Sequence, residues 1–291
     1  MVVDIKQQGL VKYQMKNLTR FYKKLSKGLI MMVRILQFIT LITFFLISVP
    51  TYANYTLVFI HGYLSDGSNW RLAGIIDTLQ HNGWQDAGHL FPNGPLLGSI
   101  QSDTNNIYTV TLPSEAPLPI QAQWLDIYLQ NLQQRHPDNQ LVLIGHSAGG
   151  VVARLVMVTG KIKIKGLISI ASPHLGTDKA ELATYINNSP ASLITPMLGL
   201  GTINRSQGLY LDLIRERPYS LLFWLNHQPH PKGFYVSIIR NGDDWVAPYS
   251  QDMNNVSALR GLSKIIVTIG NHSLNFSDGV LLVNLLNKLL K

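Results

Sequence analysis

From Asn54 onward, short apolar runs alternate with longer stretches in which apolar residues recur at helical spacing. This order predicts an α/β fold with a mostly parallel central sheet covered by helices on both faces. The runs predict strands over Thr56–Ile60, Ile107–Thr111, Leu141–Ile144, Gly166–Ala171, Phe234–Arg240 and Lys264–Ile269. Helices are expected over Asn69–Asn82, Ile120–Arg135, Gly150–Val158 and Asp278–Leu290, the last capped by Ser277 or Asp278. No internal repeat and no low-complexity tract breaks this rhythm. In sheets of this kind functional groups gather at the carboxyl ends of the strands, so chemistry is sought just after each apolar run.

Ahead of this region the pattern changes. Lys23, Lys24, Lys27 and Arg34 precede the apolar run ILQFITLITFFLISV, and the small-residue site Thr51-Tyr52-Ala53 follows it. This is the layout of a secretory signal peptide, so residues 1–53 are expected to be removed near Ala53 and the rest exported to the periplasm or the medium. The alternative is an uncleaved membrane anchor, although about fifteen residues interrupted by Gln37, Thr40 and Thr43 fall short of the roughly twenty that span a bilayer. The stretch before Met31 is long for such a leader, and Met31 or Met32 followed by Arg34 would begin one of ordinary length.

Charge changes the picture once it is divided at Ala53. The chain carries a net +8, but residues 1–53 hold eight Lys/Arg against Asp4 alone, leaving sixteen basic and fifteen acidic residues, a net +1. Binding to a phosphate backbone has no support in so balanced a region, and no nucleic-acid partner is expected. The 291 residues include no cysteine, which excludes a thiol nucleophile and leaves stability to the core.

The most informative stretch is LVLIGHSAGGVVAR, Leu141–Arg154, where Gly145-His146-Ser147-Ala148-Gly149 forms G-x-S-x-G between a buried strand and a helix. Such a turn is a nucleophile elbow. It is sharp enough to strain the serine backbone, and glycines on either side avoid clashes with neighbouring segments. Ser147 is thereby exposed at a helix N-terminus, which favours developing negative charge.

On this motif and three others in order, residues 54–291 resemble the α/β-hydrolases, in particular bacterial lipases and carboxylesterases with a His-Gly oxyanion loop. The second motif is LVFIHGYLSDGSNW, in which a strand ends in His61-Gly62. The resemblance implies that the backbone N–H groups of Tyr63 and Ala148 form an oxyanion hole, with Gly62 allowing close approach and His61 orienting the loop. The third, FYVSIIRNGDDWVAPYS, offers two adjacent acids; the family spacing selects Asp244, four residues before Pro248, and leaves Asp243 as a turn former and alternative acid. The fourth, VTIGNHSLNFSDGV, holds His272, the one histidine after these acids and the expected general base.

Residues 177–233 depart from the strand and helix rhythm and carry the apolar runs ASLITPMLGLG and YSLLFWL, which read either as a lid over an acyl cleft that meets lipid surfaces or as helices completing the core. His174 in ISIASPHLGT either faces the cleft or is a packed loop residue. The lysines of KIKIK, Lys161–Lys165, are expected to form a solvated, edge-protecting face. No metal-binding or phosphate-cradling motif occurs, so no metal and no cofactor are expected. The reading is an exported serine hydrolase acting on small-molecule or lipid esters with apolar acyl groups through Ser147, His272 and Asp244. Thioester or amide cleavage and acyl transfer share this machinery, and a non-catalytic lipid- or partner-binding module is the rival from another class.

Overall fold

The computed structural model describes residues 3–46, 54–92, 94, 96, 97, 104–187 and 201–290. The chain divides into two compact units, residues 1–52 and 53–291. In the first, Val3–Leu46 is a single helix, α1. Lys12, Lys16, Arg20, Lys23 and Lys27 recur at steps of three and four residues and share one side of it, while Leu18, Tyr22, Leu25 and Leu29 share another. Both sides are exposed. Among the described residues no helix is long and apolar enough to cross a membrane. The expected cleavage site at Thr51–Ala53 lies outside the described residues.

The second unit is built on β1 (Tyr55–Ile60), β2 (Gln85–Leu90), β3 (Leu96–Leu97), β4 (Asn106–Val110), β5 (Gln140–His146), β6 (Ile164–Ile170), β7 (Phe234–Arg240) and β8 (Ser263–Thr268). They form one sheet in the order β3-β2-β4-β1-β5-β6-β7-β8, parallel throughout except where β3 pairs with β2. Alternate residues of each central strand enter opposite cores, which is why the apolar runs are unbroken. Val58 and Ile60 of β1 face one core, lined by α4 (Leu118–Arg135) and α5 (Ala148–Thr159). Leu57 and Phe59 face the other, lined by α2 (Asn69–Leu72), α3 (Ile75–Gln80) and α11 (Phe276–Leu289).

Three expectations are corrected. The helix expected over Asn69–Asn82 breaks into α2 and α3 because Gly74 adopts φ +72°, a left-handed conformation open to glycine. The cap of α11 is Asn275, whose side chain accepts from the Ser277 N–H; Asp278 lies inside the helix and closes a capping box. The lysines of KIKIK alternate outward as expected, but β6 lies between β5 and β7, so they protect no edge. Strand β2 went unpredicted because Gln85, Asp86, Gly88 and His89 interrupt any apolar run.

The described part of residues 177–233 holds α6 (Asp178–Asn187), α7 (Gly201–Arg205), α8 (Gln207–Leu213) and α9 (Leu221–His227). Leu209, Leu213, Leu222 and Leu225 are buried in the core shared with α4 and α5, so α8 and α9 complete that core. The run at residues 191–200 lies outside the described residues.

The carboxyl end of β7 and the first turn of α11 are joined by a buried ion pair. Arg240 Nη2 donates to both carboxylate oxygens of Asp278 at 2.5 Å, and both side chains are 1% exposed. Breaking such a pair leaves an uncompensated buried charge. Asp278→Ala is therefore expected to destabilise the domain by about 3–5 kcal/mol, read as a fall in urea midpoint. An unchanged midpoint would show that water reaches Arg240.

Candidate active site

Strand β5 runs directly into α5 through Ser147, which adopts φ 52° and ψ −131°, outside the regions L-residues normally occupy. The turn survives because its neighbours lack side chains. A Cβ on Gly62 would lie 2.6 Å from Ser147 Cβ, one on Gly145 2.5 Å from the backbone of Gly150, and one on Gly149 2.3 Å from the His61 carbonyl oxygen. The Ser147 N–H donates to the Ile170 carbonyl at 2.9 Å, fixing the elbow against the end of β6.

The loop between β8 and α11 brings His272 over this serine, with Nε2 2.8 Å from Ser147 Oγ. Its Nδ1 lies 2.8 Å from Asp243 Oδ2. A carboxylate can only accept, so Nδ1 carries the proton and Nε2 is left to accept from the serine hydroxyl. The His272 backbone carbonyl in turn accepts from His146 Nε2–H at 2.7 Å.

The acid in contact with His272 is Asp243, not Asp244, which corrects the spacing argument. Asp243 Oδ1 accepts the N–H groups of Trp245 at 2.8 Å and Val246 at 3.0 Å, and this turn aims Oδ2 at the imidazole. Gln251 donates to the same Oδ2 at 3.2 Å and to the Val246 carbonyl at 2.6 Å. Burial raises the Asp243 pKa, but the hydrogen bonds from His272, Trp245 and Val246 outweigh it and hold the carboxyl below its usual value. Asp244, one residue on, is exposed, and with Asp243, Lys179 and Trp245 it lines a 690 Å³ cavity. No sequence signal marked Gln251.

His61 is buried, with Nδ1–H donating to the Gly62 carbonyl at 2.8 Å and Nε2 accepting from the Leu112 N–H at 2.8 Å. Both nitrogens are engaged by backbone, which orients the loop and leaves neither for proton transfer. Ser147 has space on two sides. One is an open cleft of about 390 Å³ that includes Ser65, Asn69, Ser273 and Leu274. The other is a narrow 40 Å³ cavity walled by Leu209, Tyr210, Leu213 and Val246 and bordered by Thr177, Lys179 and Trp245. Among the described residues no group of three or more metal-ligating side chains occurs.

A model of the PGAP1-like alpha/beta domain matches residues 118–192, a minority of the chain that spans the elbow. No curated protein matches the sequence. Among solved structures, the mature lipase BlEst2 of Bacillus licheniformis superposes with a TM-score of 0.59 at 14% identity, covering 84% of this chain and 95% of its own. A structure from the metagenome-derived lipolytic enzymes LipS and LipT gives 0.52 at 11% identity, over 81% and 94%. The monoacylglycerol lipase of Paleococcus ferrophilus gives 0.50 at 11%, over 82% and 96%. The chain has the α/β-hydrolase fold.

Behind the elbow, this α/β-hydrolase domain buries a second polar group. Arg154 of α5 is fully buried and donates to His230 Nε2 at 3.2 Å, His174 Nδ1 at 3.2 Å and Asn226 Oδ1 at 2.7 Å. Burial lowers its pKa to about 9, which leaves it charged at neutral pH. His174 is therefore a packed residue, and it does not face the cleft. Burial first, and the neighbouring Arg154 second, push His174 well below its ordinary value and His230 down to about 4. Burial likewise takes His146 to about 3, with His272 adding to the effect.

These depressed values set an acid limit on the α/β-hydrolase domain. The unfolded chain takes up these protons near pH 6.5 and the folded chain only near pH 4 or below, so stability is complete above pH 6.5 and lost as pH falls. Each histidine withdraws about 1.4 kcal/mol per pH unit in that window. Urea midpoints measured from pH 7 to 4.5 are expected to drop steeply below pH 6.5; a flat profile would contradict the burial argument.

Proposed function

We propose that the domain is a serine hydrolase that cleaves carboxylic esters with apolar acyl groups, and that it acts after export. The observation that carries this reading is the unbroken line from Ser147 Oγ through His272 to Asp243, with 2.8 Å at each contact. Ser147 attacks the ester carbonyl while His272 Nε2 takes its proton, and Asp243 stabilises the imidazolium and holds its tautomer. Charge develops on the carbonyl oxygen. Ala148 opens α5, where a first-turn N–H has no partner within the helix, and Tyr63 follows the glycine that lies against Ser147. Their N–H groups are assigned to that oxygen, each worth roughly 3–4 kcal/mol to the transition state. His272 then protonates the departing alcohol, and water attacks the acyl-serine by the same route.

The fold neighbours named as lipases favour esters among the acyl compounds this machinery can attack. Export is supported by the leader, whose basic stripe on α1 suits the anionic surface a signal peptide first meets.

The test is hydrolysis of p-nitrophenyl esters by the wild type and three variants. Ser147→Ala is expected to abolish turnover, Asp243→Ala to lower kcat by about 10^4-fold, and Asp244→Ala to change it by no more than about threefold. Activity persisting in Ser147→Ala would refute the serine mechanism; a greater loss at Asp244 than at Asp243 would return the acid role to Asp244.

A further inference from the structure

Tyr63 engages the site at two points. Its backbone follows Gly62 against Ser147, while its side-chain hydroxyl meets the Tyr210 hydroxyl at 2.6 Å, with the rings edge to face at 5.5 Å. Burial, then the hydrogen bond to Tyr63, pushes the Tyr210 phenol up. Tyr210 is itself held by its helix. Leu209 and Leu213 of α8 are buried in the core, and Asp212 Oδ2 accepts the Leu118 N–H at 2.7 Å, tying α8 to the start of α4.

Between Tyr210 and Ser147 lies the narrow 40 Å³ cavity, room for about three water-sized groups. Apart from the reacting groups, its walls are largely apolar: Leu209, Leu213, Val246, Pro173 and Ala180. The open cleft on the other side of Ser147 carries the polar Ser65, Asn69 and Ser273, and His272 borders both spaces. With its carbonyl at Ser147, an ester therefore has an apolar side for the acyl chain and a wetter side for the alcohol, each within reach of the general base.

We infer that Tyr210 is a positioning residue that couples acyl length to the oxyanion loop: with Leu213 it closes the acyl cavity, and through its hydroxyl it holds Tyr63. The inference rests on the ester-hydrolase reading and names its substrates as esters of two- to four-carbon acyl groups. A longer chain has to displace Tyr210, and displacement breaks the contact that holds Tyr63, whose N–H is assigned to the oxyanion. Misfit then lowers kcat as well as raising KM, whereas a passive wall would act on KM alone.

The experiment measures kcat and KM of the full chain on p-nitrophenyl acetate, butyrate and octanoate, with Tyr210→Phe and Leu213→Ala alongside and folding followed by thermal melting. Wild-type kcat/KM is expected to fall at least about tenfold from butyrate to octanoate, and Leu213→Ala to raise the octanoate-to-butyrate ratio by about tenfold. Tyr210→Phe, which keeps the ring and removes only the hydroxyl, is expected to lower kcat on butyrate about five- to tenfold with KM within about twofold. A wild type that prefers octanoate, or Tyr210→Phe with wild-type kcat on butyrate, overturns the inference and leaves the ester-hydrolase reading standing. A wild type that turns over none of the three esters overturns both.

Discussion

The site depends on a backbone conformation that most of the chain could not adopt. Holding Ser147 at φ 52° and ψ −131° costs of the order of 1–3 kcal/mol, which the surrounding structure must offset. It does so with rigid partners: β5 is buried between β1 and β6, and the first residues of α5 are buried in the core. Parallel pairing sets Ile60 opposite Gly145, so the turns that end β1 and β5 lie level and His61-Gly62 meets Ser147 without a gap. A side chain at any of the contact glycines would separate these turns. Ser147 and the loop that follows β1 are thus positioned by one steric fit.

The other half of the site is assembled by charge. Asp243 and His272 sit on loops after different strands, and nothing in either loop alone would keep them in register. Arg240 ends β7 three residues before Asp243, and Asp278 lies in the first turn of α11 six residues after His272, so their ion pair clamps the two loops together. Gln251 extends the clamp, accepting the Arg240 N–H at 2.7 Å and donating to Asp243. Low solvent access makes the arrangement strong while complete and costly when one member is removed.

What could be read from the sequence follows from this division. The elbow was legible because the glycines that backbone sterics require sit two residues either side of Ser147, within one five-residue motif. The central strands were legible because burial on both faces leaves unbroken apolar runs. The choice between Asp243 and Asp244 was not legible, since adjacent side chains diverge and the turn that selects one is closed by the backbone of Trp245 and Val246. The spacing to Pro248 could not supply that geometry. Tyr210 was further out of reach: it meets Tyr63 across 147 residues, with no local pattern at either end.

The two helices that flank the nucleophile are held in different ways, and this bears on where the site can yield. Helix α5 is anchored through Arg154, whose three hydrogen-bond acceptors come from the loop after β6, from α9 and from the segment before β7. Moving α5 would strip a buried cation of all three at once. Helix α8 meets the loop after β1 through the Tyr63–Tyr210 hydroxyl contact and the edge-to-face packing of the two rings, and its apolar side chains can slide where ion pairs cannot. A hydrogen bond of that kind is worth only about 0.5–1.5 kcal/mol net. On the proposed ester chemistry, a bulky acyl chain would therefore shift α8 more easily than Ser147, so the cavity wall adapts while the elbow stays fixed.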